Sequence, residues 1–441
     1  MRILYLADIR FPLERANGIQ SMETCHALAR CGHQVTLLVR PDTQRPPRDP
    51  LAFYGLPPID TLTISRVHVR GTAVMRRAQY ITAAMRHALG GYGSGWSLAQ
   101  TWRRMLGAGA RRRTGPGGGA SARGAAGAGG QASFDVVLTR DLGVASMLLR
   151  WPRTRRPPIV YESHGYAPVV NGLLPELLST ATAKAPRAAQ RKAERLGRRE
   201  RKVWREAEGY VTITAALARD LQQQIGSVRD VHVVPDGARI DAHATFDWIG
   251  PGTPPLVAYA GHLYPWKGVD VLIEALALVP PESLRGRIIG GHAAEPDLGR
   301  LRAKADQLGL AGRVEFTGFQ PPPAVAASLR AADVLVLPNR GTAVSARYTS
   351  PLKLFEYLAA GRPIVASDLP ALREVLRDNE NARLVPPDDP RALADALLAV
   401  SRDPALAVRL ARGAFDTAAE YSWDRRAARL DAILQTATDV R

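Results

Sequence analysis

Three charged side chains in this 441-residue chain occupy surroundings where charge is costly. Lys267 closes the run "GHLYPWKG" after an apolar segment, and Lys353 and Glu356 sit inside "SPLKLFEYLAAG". A buried carboxylate needs a partner inside the protein or a ligand outside it. The spacing suggests a ligand. Pro351 suits the first turn of a helix, so the amides of Leu352 and Lys353 lack intrahelical acceptors and point outward as an anion site. Lys267, just before Gly268 and another helical pattern, can meet a phosphate together with free helix N–H groups. Glu356 lies further into its helix, where its carboxylate can accept hydrogen bonds from a vicinal diol such as a ribose while the terminus takes the adjoining diphosphate. A structural salt bridge from Glu356 to an arginine is the alternative.

Other candidates follow strands. Gly290 and Gly291 end "GRIIGG" and permit close backbone approach by a ligand, and Phe319 ends "RVEFTGF". In the first half, Gly18 opens a helix within "RANGIQS", either as a phosphate loop or as an ordinary helix start. His164 in "YESHGYAP" follows an apolar run and precedes a glycine, a place that faces either a cleft or the interior.

The elements that must hold these residues alternate. "RILYLADI", a helical pattern from Ile19 to Arg30 and "QVTLLVR" make a βαβ start, and "DVVLTR", "PIVYESH", "GYVTIT" and "VHVVPDG" extend the series to Gly237. A second series runs through "LVAYAGHL", "GRIIGG", "RVEFTGF", "DVLVLPN", "PIVASD" and "ARLVPP". The pattern predicts an α/β chain of two doubly wound, Rossmann-like domains, 1–237 and 256–420, with a breaker-rich linker at 238–255 and a last helix over 421–441 that crosses back to the first domain. Parallel sheets bind ligands outside the carboxyl ends of their strands, which is where the candidates lie. Between residues 107 and 130 there are ten glycines and almost no large apolar residue, so a disordered insertion is expected over about 107–132.

The net charge is +18, and no acidic residue occurs between Asp60 and Asp135, where eleven arginines fall. A basic first domain suits anionic lipid, phosphorylated ligands or nucleic acid. Only six of the 59 basic residues are lysine, so arginine-rich composition is the competing explanation. The helical pattern around Val74, Met75, Ala78, Met85 and Leu89 either lies on an anionic membrane or packs inward. Basic stretches without interleaved aromatic residues, and no recognised binding module, argue against nucleic acid as a partner. Cys25 and Cys31 form no disulfide framework, no segment is apolar enough to span a bilayer, and the N-terminus makes a poor signal peptide. A cytoplasmic protein is expected, with the inner membrane face as an associated surface.

The ordered set "GHLYPWKGVD", "RVEFTGF", "DVLVLPN" and "SPLKLFEYLAAGRPIVASDLPALREVL", preceded by "VTITAALARDL" and "VVPDGARID", resembles the GT-B retaining glycosyltransferases of the family 4 type. The likeness covers nearly the whole chain except about residues 50–132. It implies two domains facing a central cleft and a transfer of sugar from a nucleotide-sugar donor to a glycan or lipid-linked hydroxyl, with no metal or other cofactor. It also implies that Glu356 holds the donor ribose, the amides near Leu352 and Lys353 take donor phosphate or sugar, Lys267 neutralises the diphosphate, His164 lines the donor sugar, and Gly18 lies near the diphosphate and acceptor. Two positions depart from the family pattern. Tyr348 stands where the family carries its first glutamate, and His262 where it usually carries arginine. A nucleotide-sugar epimerase or hydrolase, and a noncatalytic or nucleic-acid-binding protein of this fold, are the rival expectations.

Overall fold

The first unit alternates β1 (Arg2–Arg10), α1 (Ala16–Arg30), β2 (Gln34–Arg40), α2 (Pro50–Tyr54), β3 (Leu62–Arg66), α3 (Ala73–Ala88), β4 (Val136–Thr139), α4 (Leu142–Leu148) and β5 (Ile159–Ser163). It continues with α5 (Ala167–Leu177), α6 (Pro186–Glu206), β6 (Gly209–Thr212), α7 (Ala215–Ile225) and β7 (His232–Val233). In this computed structural model the described residues are 1–90, 134–177, 186–227, 230–241, 245–291, 296–348 and 351–439. The glycine-rich segment at about 107–132 lies outside them.

The seven strands run parallel in the order β3-β2-β1-β4-β5-β6-β7. Strands such as β4 and β5 are buried along their whole length, as parallel strands covered on both faces must be.

The second unit holds β8 (Leu256–Ala260), α8 (Val269–Ala277), β9 (Arg285–Ile289), α9 (Pro296–Gln307), β10 (Val314–Gly318), α10 (Pro322–Arg330) and β11 (Val334–Leu337). Then come α11 (Ala343–Arg347), α12 (Leu352–Ala360), β12 (Ile364–Ser367), α13 (Pro370–Arg373), β13 (Arg383–Val385), α14 (Pro390–Arg402) and α15 (Pro404–Ala418). Its six parallel strands follow the order β10-β9-β8-β11-β12-β13. Strand order reverses at β1/β4 and at β8/β11, and such switch points open a crevice at the carboxyl ends of the strands.

The final helix, α16 (Trp423–Asp439), packs Trp423, Leu430 and Leu434 into the first unit's core beside Ile3, Tyr5 and Leu28. Two chain crossings therefore connect the units, and they are bonded to each other. The amide of Ala238 donates to the Tyr421 carbonyl at 2.9 Å, and that of Trp423 to the Ala238 carbonyl at 3.2 Å.

Contacts between the units orient the crevice. Glu374 of the second unit accepts from the amides of Ala215 and Ala216 at 2.8 and 2.7 Å, completing a cap on α7 to which Thr214 of its own unit contributes by accepting from the Leu217 amide. Elsewhere Arg239 donates to Glu23 at 2.7 Å and to the Gly55 carbonyl at 2.9 Å. On α3, Ala78, Ile81 and Met85 pack inward, with Leu89 just beyond its end, whereas Val74 and Met75 remain exposed. The apolar face read from the sequence thus divides into an inward C-terminal part and an outward N-terminal turn.

Candidate functional site

A cavity of about 690 Å³ opens between the units, at the carboxyl ends of both sheets. His164, His262, Lys267, Gly290, Gly291, Phe319, Tyr348, Pro351, Leu352, Lys353 and Glu356 all line it. Gly18 does not. Its N–H donates to the Arg15 carbonyl at 2.8 Å, and a Cβ there would lie 2.3 Å from the Leu13 oxygen and 2.5 Å from the Tyr54 hydroxyl. A side chain at 18 would break that packing, while its neighbours Asn17 and Ile19 face the cavity. Gly290 is equally constrained, with φ 119° and a hypothetical Cβ 2.2 Å from the Gly261 oxygen.

Helix α12 carries the densest group of candidates. Pro351 holds the N-cap position and no side chain of a described residue caps the helix, so the amides of Leu352 and Lys353 lack intrahelical acceptors beside the cavity that both residues line. Lys353 is buried with Nζ 3.9 Å from the ring centroid of Tyr259, and that nitrogen has no hydrogen-bond partner among the described residues. Lys267 brings its Nζ to 3.7 Å from the ring centroid of Trp266. Burial lowers the Lys267 ammonium to about 7. The Lys353 ammonium is driven well below the lysine range by burial and by repulsion from Lys267, against the attraction of Glu356. Among the described residues neither lysine has a bonded counter-ion, an arrangement that can accept an anion.

Glu356 makes no ion pair with a described residue, so the salt-bridge alternative for it is not realised there. Burial raises its carboxyl to about 7, repulsion from Glu23 adds to this, and Arg239 and Lys353 oppose it. An unshared carboxylate one turn from an uncapped helix terminus leaves its acceptor sites open to a ligand.

The opposite wall is built on the first sheet. His164 places Nε2 2.6 Å from Glu162, which also accepts from Gln20 and from Arg426 of α16, the latter at 2.6 Å. Arg426 holds the Glu162 carboxyl far below the usual carboxylate range despite burial. Burial and the Arg140 charge push the His164 imidazole down to about 4, so it is neutral at neutral pH. Arg10, Arg15, Arg140 and Asp236 complete this wall, and Arg140 donates to Gln20 at 2.6 Å. Burial raises the Asp236 carboxyl to about 6. None of these four was singled out from the sequence as a site residue. Arg140 ends "DVVLTR" and Asp236 stands before the closing glycine of "VVPDG", so the strand-end rule that picked His164 also points to them.

The two departures from the family pattern are both structured. His262 stacks on Tyr264, ring centroids 5.0 Å apart and 10° between planes. Tyr348 is 5% exposed and donates its hydroxyl to Asp220 on α7 at 2.6 Å, across the boundary between the units. Among the described residues, no group of three or more His, Cys, Asp or Glu side chains could hold a metal ion, and no helix is long and apolar enough to cross a membrane.

A family model described as a glycosyl transferase 4-like domain matches residues 18–237, and one described as glycosyl transferases group 1 matches residues 254–403. The chain belongs to the group 1 glycosyltransferases. Among relatives of this family, D-inositol 3-phosphate glycosyltransferase of Nocardia farcinica is 32% identical over 303 residues, covering 65% of this chain and 60% of that protein. Phosphatidyl-myo-inositol mannosyltransferase of Mycobacterium leprae is 32% identical over 234 residues, or 52% of this chain and 59% of that one. The matches thus span about 60% of the length of these curated relatives. The fold is shared over the full length of both chains with sucrose-phosphate synthase from Thermosynechococcus elongatus, at a TM-score of 0.70 and 16% identity. Two Rossmann-like domains around a cleft are the GT-B architecture of these group 1 glycosyltransferases.

Proposed function

We propose that the chain is a retaining glycosyltransferase that moves a sugar from a nucleotide-sugar donor to an acceptor hydroxyl in glycan or glycolipid synthesis. The observation that carries this reading is the convergence of Lys267, Lys353, Glu356 and the start of α12 on one cavity, with neither lysine in an ion pair among the described residues. The diphosphate lies against Lys267 and the amides of α12, and the ribose diol donates to Glu356.

As the bond between the anomeric carbon and the phosphate oxygen breaks, negative charge grows on the diphosphate. Lys267 and the helix amides stabilise that charge without a metal ion. The acceptor oxygen attacks from the same face and bonds to the anomeric carbon, and its proton passes to the departing phosphate. His164, neutral and oriented by Glu162, lines the sugar and presents a hydrogen-bonding group free of net charge. The acceptor lies against the first unit, where Arg15 and Arg140 favour one that bears phosphate. The two relatives are named for an inositol phosphate and a phosphatidylinositol, acceptors of that kind. Exposed Val74 and Met75, near Arg70 and Arg76 in sequence, suit contact with the cytoplasmic face of an anionic membrane.

The test is thermal stability with UDP, GDP, ADP and dTDP sugars, for the wild type and Glu356→Ala. A donor at about 100 times its dissociation constant adds roughly 2.7 kcal/mol of stability. A shift confined to one base and lost in the variant is the expected result. No shift with any donor, in folded protein, overturns the reading.

A further inference from the structure

Helix α11 and Tyr348 after it belong to the second unit by sequence and to the first by packing. Val344 and Tyr348 are buried in the hydrophobic cluster built on β4, β5 and β6, and Trp266 packs against the same cluster. Tyr348 meets the first unit with both parts of its side chain. Its ring lies 3.6 Å from where a Cβ on Gly165 would stand, next to His164, and its hydroxyl donates to Asp220 on α7 at 2.6 Å. Arg347 adds two bonds to the same helix. Its guanidinium lies 3.3 Å from Asp220, and its carbonyl accepts from the Thr214 hydroxyl at 3.0 Å. Asp220 is itself buried and is not among the residues that line the cavity.

The other end of this segment grips the turn that carries Lys267. The Arg340 amide donates to the Trp266 carbonyl at 3.1 Å, and the Ser345 hydroxyl donates to the same oxygen at 3.4 Å. Gly268, with φ 70°, admits the Pro338 carbonyl, whose oxygen would stand 1.7 Å from a Cβ there. Trp266 in turn places its ring centroid 3.7 Å from the Lys267 ammonium. An unbroken series of contacts therefore runs from Asp220 in the first unit, through Tyr348 and α11, to Lys267 in the second. Close-packed segments transmit displacement, and an error of about 1 Å at a reacting group can cost about 100-fold in rate.

We propose that Tyr348 is a positioning residue, whose bond to Asp220 fixes, through α11, where Lys267 stands against the donor diphosphate. For the diphosphate the inference rests on the nucleotide-sugar reading of the cavity, and for the coupling it rests on the contacts alone.

The experiment is a double-mutant cycle between Asp220 and Lys267, read by titration calorimetry with UDP, GDP, ADP and dTDP. Asp220→Ala should weaken the nucleoside diphosphate that binds by about tenfold, and the same change in a Lys267→Met background should have little effect. Tyr348→Phe, which keeps the ring in its cluster, should match Asp220→Ala and serves in its place if that variant does not fold. Asp220→Asn keeps an oxygen for the tyrosine hydroxyl and should retain most of the affinity. Equal losses in the two backgrounds, or a Tyr348→Phe protein that binds like the wild type, overturn the inference. Amide hydrogen exchange of the full chain without ligand gives an independent reading. Tyr348→Phe should speed exchange at Lys267 and Gly268, whose amides donate to the Tyr264 and Pro265 carbonyls, and leave β4 and β12 unchanged. If the wild type binds none of the four nucleotides, the donor reading falls. Exchange then decides the coupling by itself, as it also does if Lys267→Met alone fails to bind, and unchanged rates at 267 and 268 overturn it.

Discussion

Arg426, in the last helix, places its guanidinium 2.6 Å from the carboxylate of Glu162 at the end of β5, and both side chains are at most 2% exposed. The same guanidinium donates to the carbonyls of Val234 and Pro235 at 2.7 and 2.8 Å. A residue near the end of the chain thereby fixes the carboxylate that orients His164.

Removing one partner of a buried ion pair leaves the other charge without compensation. Arg426→Met should cost about 3–5 kcal/mol of stability, measured by denaturant unfolding. Arg426 also helps to hold the His164 pKa down, so the variant should titrate that imidazole at higher pH. An unchanged histidine titration, followed by NMR, would remove Arg426 from the positioning of His164.

Lys267 and Glu356 should give donor binding two opposed pH limbs. The ammonium of Lys267 titrates at about 7 in the empty protein, so binding that requires its charge weakens above pH 7, by up to about tenfold per unit. The carboxyl of Glu356 also titrates at about 7, so binding that requires the carboxylate strengthens as pH rises to 7 and is then level. The wild type should bind best near pH 7. Lys267→Met should keep only the rising limb and Glu356→Gln only the falling one. Parallel profiles in both variants would contradict the assigned roles.

In turnover, Lys267→Ala should lower kcat by at least about tenfold, equivalent to roughly 1.4 kcal/mol of transition-state stabilisation. Unchanged steady-state kinetics would take Lys267 out of the chemistry.

Glu200 provides a stability test away from the cavity. It is fully buried on α6, accepts from the Tyr210 hydroxyl at 2.8 Å, and burial raises its carboxyl from 4.5 to about 7. The folded state therefore holds this proton more tightly than the unfolded chain. Its contribution to stability is complete below about pH 4.5, declines as pH rises to 7 and is level beyond, a change of about 3 kcal/mol. Glu200→Gln should lack this decline, so its melting temperature should gain on that of the wild type between pH 5 and pH 8.

Much of this arrangement was legible in the sequence. Strands buried on both faces announce themselves as continuous apolar runs, and the strand-end rule located His164, Lys267 and the α12 terminus. The rule serves short-range features, and long-range partners escape it. Arg426 reads as one more surface arginine of an amphipathic helix until the fold carries it 264 residues back to Glu162. Tyr348 reads as a lost carboxylate, because its partner Asp220 lies in the other unit. Gly18 reads either as a ligand loop or as an ordinary helix start, because the two look alike in sequence, and the approach of Leu13 and Tyr54 that requires glycine there is a long-range feature.

The position of α16 reverses the order in which the chain is made and completed. Ile3, Tyr5 and Leu28 precede the whole second unit in the chain, yet Trp423, Leu430 and Leu434, which cover them, follow it. The earlier-made of the two units is thus the later to be closed. During translation the second unit can finish its sheet while this apolar face of the first still waits, accessible to chaperones, for the final turns of helix.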